Sequence, residues 1–181
     1  MTHPKSHPVP YIPADWSGVV ALIGQCYTEY GLSLNLDDAC EQHLRDPGAY
    51  FRDSGGEFWV VRDAEGQVRA TAALAVHHEL QPMRGELKSM YVHPDWRRRG
   101  WGARLTKLVI ETARDKGCSI MELWSDTRFL AAHALYRSLG FTPIGERVIE
   151  DSNASREYGF VLSLDPRNDD VASPLEDVKT S

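Results

Sequence analysis

Apolar residues along the chain change period repeatedly, and each change predicts an element. Trp16, Val19, Val20, Ile23 and Tyr27 recur at helical spacing behind Pro13 and Asp15, predicting a helix that ends near Gly31. A second helix is predicted over about 36–45, stopped by Asp46-Pro47-Gly48. Strand-like runs follow: GEFWVVRD and QVRATAALAVHHE flank AEG in a hairpin pattern, and GELKSMYVHP (85–94) is closed by Pro94. From Gly100 the helical period returns at Trp101, Leu105, Leu108, Val109 and Thr112, and Lys116-Gly117 supplies the stop. CSIMELWS is largely apolar, as a strand inside a sheet requires. Residues 129–139 read as a helix ended by Gly140, TPIGERVIED and REYGFVLSL as an antiparallel pair, and VPYI (9–12) as a short edge strand. This order predicts an α/β fold, a mixed sheet of about seven strands with helices on both faces. The folded unit is expected over 9–164. Residues 1–8 are expected to be flexible, as is the polar, acidic tail 165–181.

The composition narrows the function. The chain has 181 residues, one domain's worth, with 20 Lys plus Arg against 26 Asp plus Glu and a net charge of −6. An acidic chain is poorly suited to coat a polyphosphate backbone, so a general nucleic-acid role is excluded. No apolar run approaches membrane-spanning length and no leader is evident, so a cytoplasmic protein without a membrane partner is expected. Cys26, Cys40 and Cys118 are odd in number and widely spaced, which predicts reduced thiols rather than a disulfide or metal set. No metal site is predicted. Residues 1–96 hold 7 basic and 13 acidic side chains. That acidic half suits a cationic partner, and a solvated acidic face explains it equally.

Against this background HPDWRRRGWG (93–102) stands out, with three arginines ahead of Gly-x-Gly at the start of a predicted helix. A helix N-terminus presents amides without intrahelical partners in a field that favours anions, and glycines leave that backbone accessible. A pyrophosphate there finds donors, field and access, and the arginines offer forked hydrogen bonds to further phosphate oxygens. A solvated charge run beside a helix cap reads the same residues without a ligand. The pattern is not a P-loop, which needs Gly-Lys-Ser/Thr, nor a GxGxxG fingerprint, because Arg104-Leu105 stand at the third glycine.

MYVHPDWRRRGWGARLTKLVIETARDKG resembles the central signature of the GNAT superfamily of acyl-CoA-dependent N-acyltransferases, with Arg97, Gly100 and Gly102 at its three motif positions. ALYRSLGF, with Tyr136, Gly140 and Phe141, is similar to a second signature of that family. Element order over about 9–164 also matches. The resemblance implies an N-acetyltransferase that moves an acetyl group from acetyl-CoA to an amine by direct attack. It implies cofactor contacts at Met90, Tyr91, Val92, Arg97, Arg98, Arg99, Gly100, Trp101, Gly102 and Ala103. Many members carry an Asn seven residues before the tyrosine that helps hold the pantetheine arm. Phe129 stands there in this chain, and Ser125, Asp126 or a backbone group is the expected substitute.

Two side chains are candidates for proton transfer. Tyr136 reads from spacing alone as a core tyrosine on an amphipathic helix, and the resemblance assigns it as general acid to the departing thiolate. Glu86 is the candidate base, placed by strand alternation on the face of Lys88, Met90 and Val92; a strand glutamate paired with Lys88 or Arg84 is the competing reading. His133 shares the Tyr136 helix face and reads as a hydrogen-bonded packing histidine or a pocket residue. Acceptor selection is expected from residues 13–50 and 79–85, where Asp37, Asp38, Glu41 and Asp46 would favour a cationic amine and helix-surface solvation explains them equally well. A small-molecule amine is the expected partner. Acetylation of a protein Lys or N-terminus and a non-catalytic acyl-CoA-binding module are the alternatives. Family members are often dimers, so a homodimer is an expectation of the resemblance alone.

Overall fold

The computed structural model describes residues 6–165. A seven-stranded sheet runs in the order β1 (Pro8–Pro10), β2 (Glu57–Arg62), β3 (Val68–His77), β4 (Arg84–Val92), β5 (Ile120–Asp126), β7 (Arg156–Ser163), β6 (Thr142–Val148). All neighbouring strands are antiparallel except β4 and β5, which lie parallel because α3 (Trp101–Asp115) crosses between them. Helices α1 (Trp16–Thr28) and α2 (Pro47–Asp53) cover one face of the sheet. On the other face lie α3 and α4 (Leu130–Ser138). The α/β arrangement with seven strands is therefore as expected.

Strand alternation divides the core in two. Phe58 and Val60 of β2 join Val19, Ile23 and Phe51 beneath α1 and α2, whereas Trp59 and Val61 join Leu105, Val109, Met121 and Phe160 beneath α3 and α4. Leu105 and Val109 are fully buried, a contribution of roughly 1.5–3 kcal/mol each.

Three expectations about elements are corrected. The predicted helix over 36–45 is instead a run of turns with one 3-10 turn at Gln42–Leu44. Asp46-Pro47 does not stop that segment; it starts α2. The Asp46 carboxylate accepts a hydrogen bond from the Ala49 amide at 3.0 Å, and Pro47 occupies the first helical turn, where a missing N–H costs nothing. The edge strand begins at Pro8 and ends at Pro10, so part of the stretch 1–8 expected to be flexible is paired with β2. Residues 1–5 and 166–181, which include nearly all of the expected flexible tail, lie outside the described residues.

Candidate active site

The sheet opens at its centre. β4 and β5 pair only through Arg84–Ile120, Gly85–Met121 and Glu86–Glu122, and the remainder of β5 pairs with β7 alone. Among the described residues no strand pairs with this edge of β4 beyond Glu86, and two hollows occupy the gap. One is a cleft of about 590 Å³ between the end of β4, the start of α3 and the start of α4. The other is a cavity of about 180 Å³ between β4, β5 and two long connections. Met90, Tyr91, Phe129 and Ala132 line both hollows and form their common wall.

The cleft is built on the turn before α3. Arg98 and Gly100 have φ of +58° and +81°, and Gly100 caps the helix in the left-handed region, which glycine adopts without strain. The first helical amide with a partner is Arg104, bonded to the Gly100 carbonyl at 3.0 Å. The amides of residues 98–103 have none among the described residues. Arg98, Gly100, Trp101, Gly102 and Ala103 line the cleft together with Met90, Tyr91, Val92 and Arg97. Arg98 and Arg99 are exposed, though Arg99 does not reach the cleft wall.

Two motif residues have other duties. The Arg97 guanidinium donates to both Glu29 oxygens, at 2.6 and 2.8 Å, to the Val92 carbonyl at 3.0 Å and to Cys26 Sγ at 3.6 Å. It ties the end of β4 to α1, so its charge is already answered. Gly102 was expected to keep the backbone open to a ligand. A Cβ there would instead lie 2.9 Å from Leu135 Cδ2, whereas one at Gly100 would meet nothing within 4 Å. Gly100 serves conformation and access; Gly102 lets α3 and α4 approach.

The cavity is assembled from distant segments. Tyr27 of α1, Glu41 and His43 of the α1–α2 connection, Glu86 to Tyr91 of β4, Trp124 to Asp126 of β5 and Tyr136 of α4 all line it. So do Arg147, Ile149, Asp151, Ser155 and Glu157, from β6, β7 and their connection. The two connections clasp each other: Asn153 exchanges two 2.9 Å bonds with the Ser33 backbone, and Ser152 donates to both Asp38 oxygens. The expected acceptor loop at 79–85 lies at the other end of β4 and takes no part, while the 149–157 segment, which does, carries no chemical motif.

Tyr136 lies on both faces of this arrangement's logic: its ring packs against Phe141 and Phe160, and its side chain borders the cavity. Burial raises its phenol above the ordinary value, so it stays protonated at neutral pH. Glu86 is differently placed from expectation. β4 carries an extra residue where Lys88 pairs Ala73 and Tyr91 pairs Thr71, with Ser89 at φ +50° and its carbonyl held by Thr71 Oγ1 at 2.7 Å. The bulge reverses the alternation, so Met90 and Val92 pack on the α3 side with Leu87, opposite the face of Tyr91. Glu86 thus parts company with Met90 and Val92. Its oxygens face His77 Nε2 at 3.0 Å and Lys88 Nζ at 3.3 Å. Burial alone would raise its carboxyl, but the His77 bond and the Lys88 and His77 charges outweigh burial and hold it down to about 2. The pairing with Lys88 is present; the pairing of Arg84 is with Glu122, at 2.9 Å.

The remaining candidates separate cleanly. His133 is a packing histidine, 2% exposed, 3.2 Å from Ser125 Oγ and in ring contact with Phe160. Phe129, standing at the family's Asn position, packs edge-on to Tyr30 in the cleft wall, and Ser125 and Asp126 line the cavity rather than the cleft. Of the four acids in the 36–46 stretch only Glu41 reaches the cavity; Asp37 pairs Arg45, Asp38 binds Ser152 and Asp46 caps α2. Cys26 and Cys118 are buried, Cys40 is half-buried, and all three are free thiols. Among the described residues no group of three or more His, Cys, Asp or Glu could hold a metal, and no helix is long and apolar enough to cross a membrane.

A family model described as acetyltransferase (GNAT) family matches residues 16–141. N-acetyltransferase 8 from Homo sapiens is 35% identical over 121 residues, 66% of this chain and 50% of that protein, so the chain spans about half the length of this relative. An acetyltransferase of the GNAT family from Staphylococcus aureus Mu50 shares the fold with a TM-score of 0.76 at 18% identity, over 88% of this chain and 99% of that one. A GNAT superfamily phosphinothricin acetyltransferase from Sinorhizobium meliloti, solved in complex with acetyl-CoA, aligns with a TM-score of 0.68 at 15% identity, over 88% and 89%.

Proposed function

We propose that this chain, which belongs to the acetyltransferase (GNAT) family, transfers the acetyl group of acetyl-CoA to the primary amine of a small, cationic molecule. The observation that carries the reading is the common wall of Met90, Tyr91, Phe129 and Ala132, across which a donor cleft and an acceptor cavity meet. The cleft suits coenzyme A: six consecutive residues, 98–103, hold amides without partners among the described residues at a helix N-terminus, the arrangement that binds a diphosphate. Arg98 and Arg99, both exposed, would answer further phosphate charge, and the unpaired ladder edge of β4 near Met90, Tyr91 and Val92 would receive the pantetheine amides. Acetyl-CoA, when bound, supplies an acyl group activated as a thioester.

The protein's own residues then divide the proton work. Tyr136, kept neutral by its surroundings, gives its proton to the leaving sulfur, and its position on the cavity wall sets it beside the acceptor. The clasp between Ser33, Asp38, Ser152 and Asn153 closes the acceptor side. A cavity of about 180 Å³ behind that clasp favours a compact amine over a polypeptide segment. The lining carries more carboxylates (Glu41, Glu86, Asp126, Asp151, Glu157) than cations (Lys88, Arg147), which favours a positively charged acceptor.

A thiol-release assay with acetyl-CoA tests the reading, run against small primary amines and against peptides with a free N-terminus or Lys. Turnover of small amines with peptides inert is expected. Turnover of peptides alone, or cofactor binding with no turnover of either, overturns it.

A further inference from the structure

Glu41, His43 and Glu86 are three of the groups on the cavity wall that can take a proton from an incoming amine. They differ in what already occupies them. Both Glu86 oxygens are committed, to His77 and Lys88. His43 Nε2 lies 2.9 Å from Ser89 Oγ, at the bulge of β4, and its ring packs against Tyr50 and Phe51. Glu41 uses one oxygen only: Oε1 accepts from the Tyr27 hydroxyl at 2.5 Å, and Tyr27 in turn receives the Tyr91 hydroxyl at 3.2 Å. Oε2 of Glu41 has no hydrogen-bond partner among the described residues.

The other charges of the cavity are answered by their neighbours. Asp126 accepts from the Arg128 amide and lies 3.6 Å from its guanidinium through Oδ1, while Asp126 Oδ2 is buried without a partner among the described residues; Asp151 accepts from the Ser155 amide and hydroxyl, and Glu157 pairs with Arg147. Lys88 is taken by Glu86. Among the cavity carboxylates of the described residues, Glu41 combines an oxygen without a hydrogen-bond partner with the absence of an ion pair, and it is held from behind by the hydroxyl of Tyr27, whose ring meets Tyr91 edge-on.

Resting on the acceptor reading above, we infer that Glu41, rather than Glu86, receives the acceptor's ammonium group and takes its proton. The step balances as follows. One ammonium proton passes to Glu41 Oε2, and the freed nitrogen lone pair forms the C–N bond at the thioester carbonyl carbon. The C–S bond breaks with its electron pair on sulfur, which takes the Tyr136 proton. A second nitrogen proton restores the phenol, so the net release is the proton on Glu41. Glu86 becomes a positioning residue that holds Lys88 and His77.

Several titratable or charged groups face Glu41: Tyr27 from α1, Lys88 and Tyr91 from β4, Cys40 and His43 from its own connection, Asp151 from the β6–β7 connection and Glu157 from β7. Burial is the largest influence and raises its carboxyl; the Tyr27 bond and Lys88 oppose that rise, and Glu157 and Asp151 add to it. Of the two carboxylates Glu41 is the stronger base, since Glu86 is held at about 2, and burial brings His43 down to about 4.

The test is carbon NMR of the full chain labelled at the glutamate carboxyl carbons, with Glu41→Gln and Glu86→Gln assigning the two resonances and thermal melts checking that both variants fold. n-Butylammonium chloride is added to the chain alone and to the chain with coenzyme A. The expected result is a saturable shift of the Glu41 resonance, whose midpoint starts above the ordinary glutamate value and falls when the ammonium binds. Tyr27→Phe, which leaves the carboxylate intact, should raise that midpoint further. With an amine accepted in the thiol-release assay, Glu41→Gln should lose roughly 100-fold in kcat/KM and the acid limb of the pH profile, while Glu86→Gln keeps the limb. Ammonium shifts confined to Glu86, unchanged ammonium affinity in Glu41→Gln, or no ammonium effect on either resonance overturns the assignment. Failure of coenzyme A to bind counts against the donor cleft instead and leaves the NMR result on the chain alone to decide Glu41.

Discussion

The donor cleft and the acceptor cavity share a wall but are made in opposite ways. The cleft's anion-binding end is one contiguous turn, residues 98–103, whose working groups are backbone amides. The cavity draws side chains from α1, the α1–α2 connection, β4, β5, α4 and the β6–β7 region, held by bonds spanning more than a hundred residues. A site made of backbone tolerates changes of side chain; a site made of side chains is only as good as the packing that gathers them. The comparison therefore predicts that substitutions in the turn act mostly on cofactor affinity, and substitutions in the cavity on turnover or acceptor affinity.

The largest effect is expected at Tyr136. Tyr136→Phe should lower turnover roughly 100-fold while acetyl-CoA affinity, read by calorimetry, changes less than about twofold. Equal turnover would remove the phenol from the chemistry. Glu86→Gln comes next and separates support from catalysis, at a stability cost of about 2 kcal/mol near neutral pH. The sign follows from its depressed carboxyl. Glu86's contribution is complete above the ordinary glutamate value and is lost as pH falls toward about 2. His77 is raised by its bond to Glu86, so its share is complete below the ordinary histidine value and lost as pH rises through the raised one. Melts of wild type and Glu86→Gln should accordingly differ most between about pH 5 and 6 and converge toward pH 2.

Gly100→Ala places a Cβ at φ +81° and should cost about 1–2 kcal/mol, appearing as a roughly tenfold loss of acetyl-CoA affinity with acceptor KM unmoved. Asn153→Ala removes both bonds to Ser33 and should loosen the acceptor side by about 1 kcal/mol, raising amine KM severalfold without touching acetyl-CoA affinity. Gly102→Ala is the mildest, under about 1 kcal/mol, because the clash is with the mobile end of Leu135. A cofactor-affinity loss at Gly102 as large as that at Gly100 would blur the distinction between the two glycines.

What could be read from sequence follows the same division. The strands, α1, α3, α4 and the arginine–glycine turn are local patterns, and local patterns were legible. Asp46-Pro47 was misread as a stop because the same pair serves equally as an N-cap and first turn, and only the apolar contacts of Phe51 decide between them. Arg97 lines the cleft, but nothing in its neighbourhood of the chain announces Glu29, which α1 brings to its guanidinium. The bulge at Ser89 has no glycine to mark it, so alternation along β4 was carried through without a break and Glu86 was put on the wrong side of Met90. Glu41 was indistinguishable from Asp37, Asp38 and Asp46 as a charge. Its difference is a phenol from α1 and, among the described residues, an oxygen without a partner on a cavity-lining side chain, neither of which spacing encodes.

The backbone turn ahead of α3 is where the donor's diphosphate must sit, and a crystal structure of the protein with coenzyme A tests this most directly. The diphosphate oxygens should lie within hydrogen-bonding distance of amides between Arg98 and Ala103, with the thiol directed to the wall formed by Met90 and Phe129. A diphosphate bound anywhere else on the protein would contradict it.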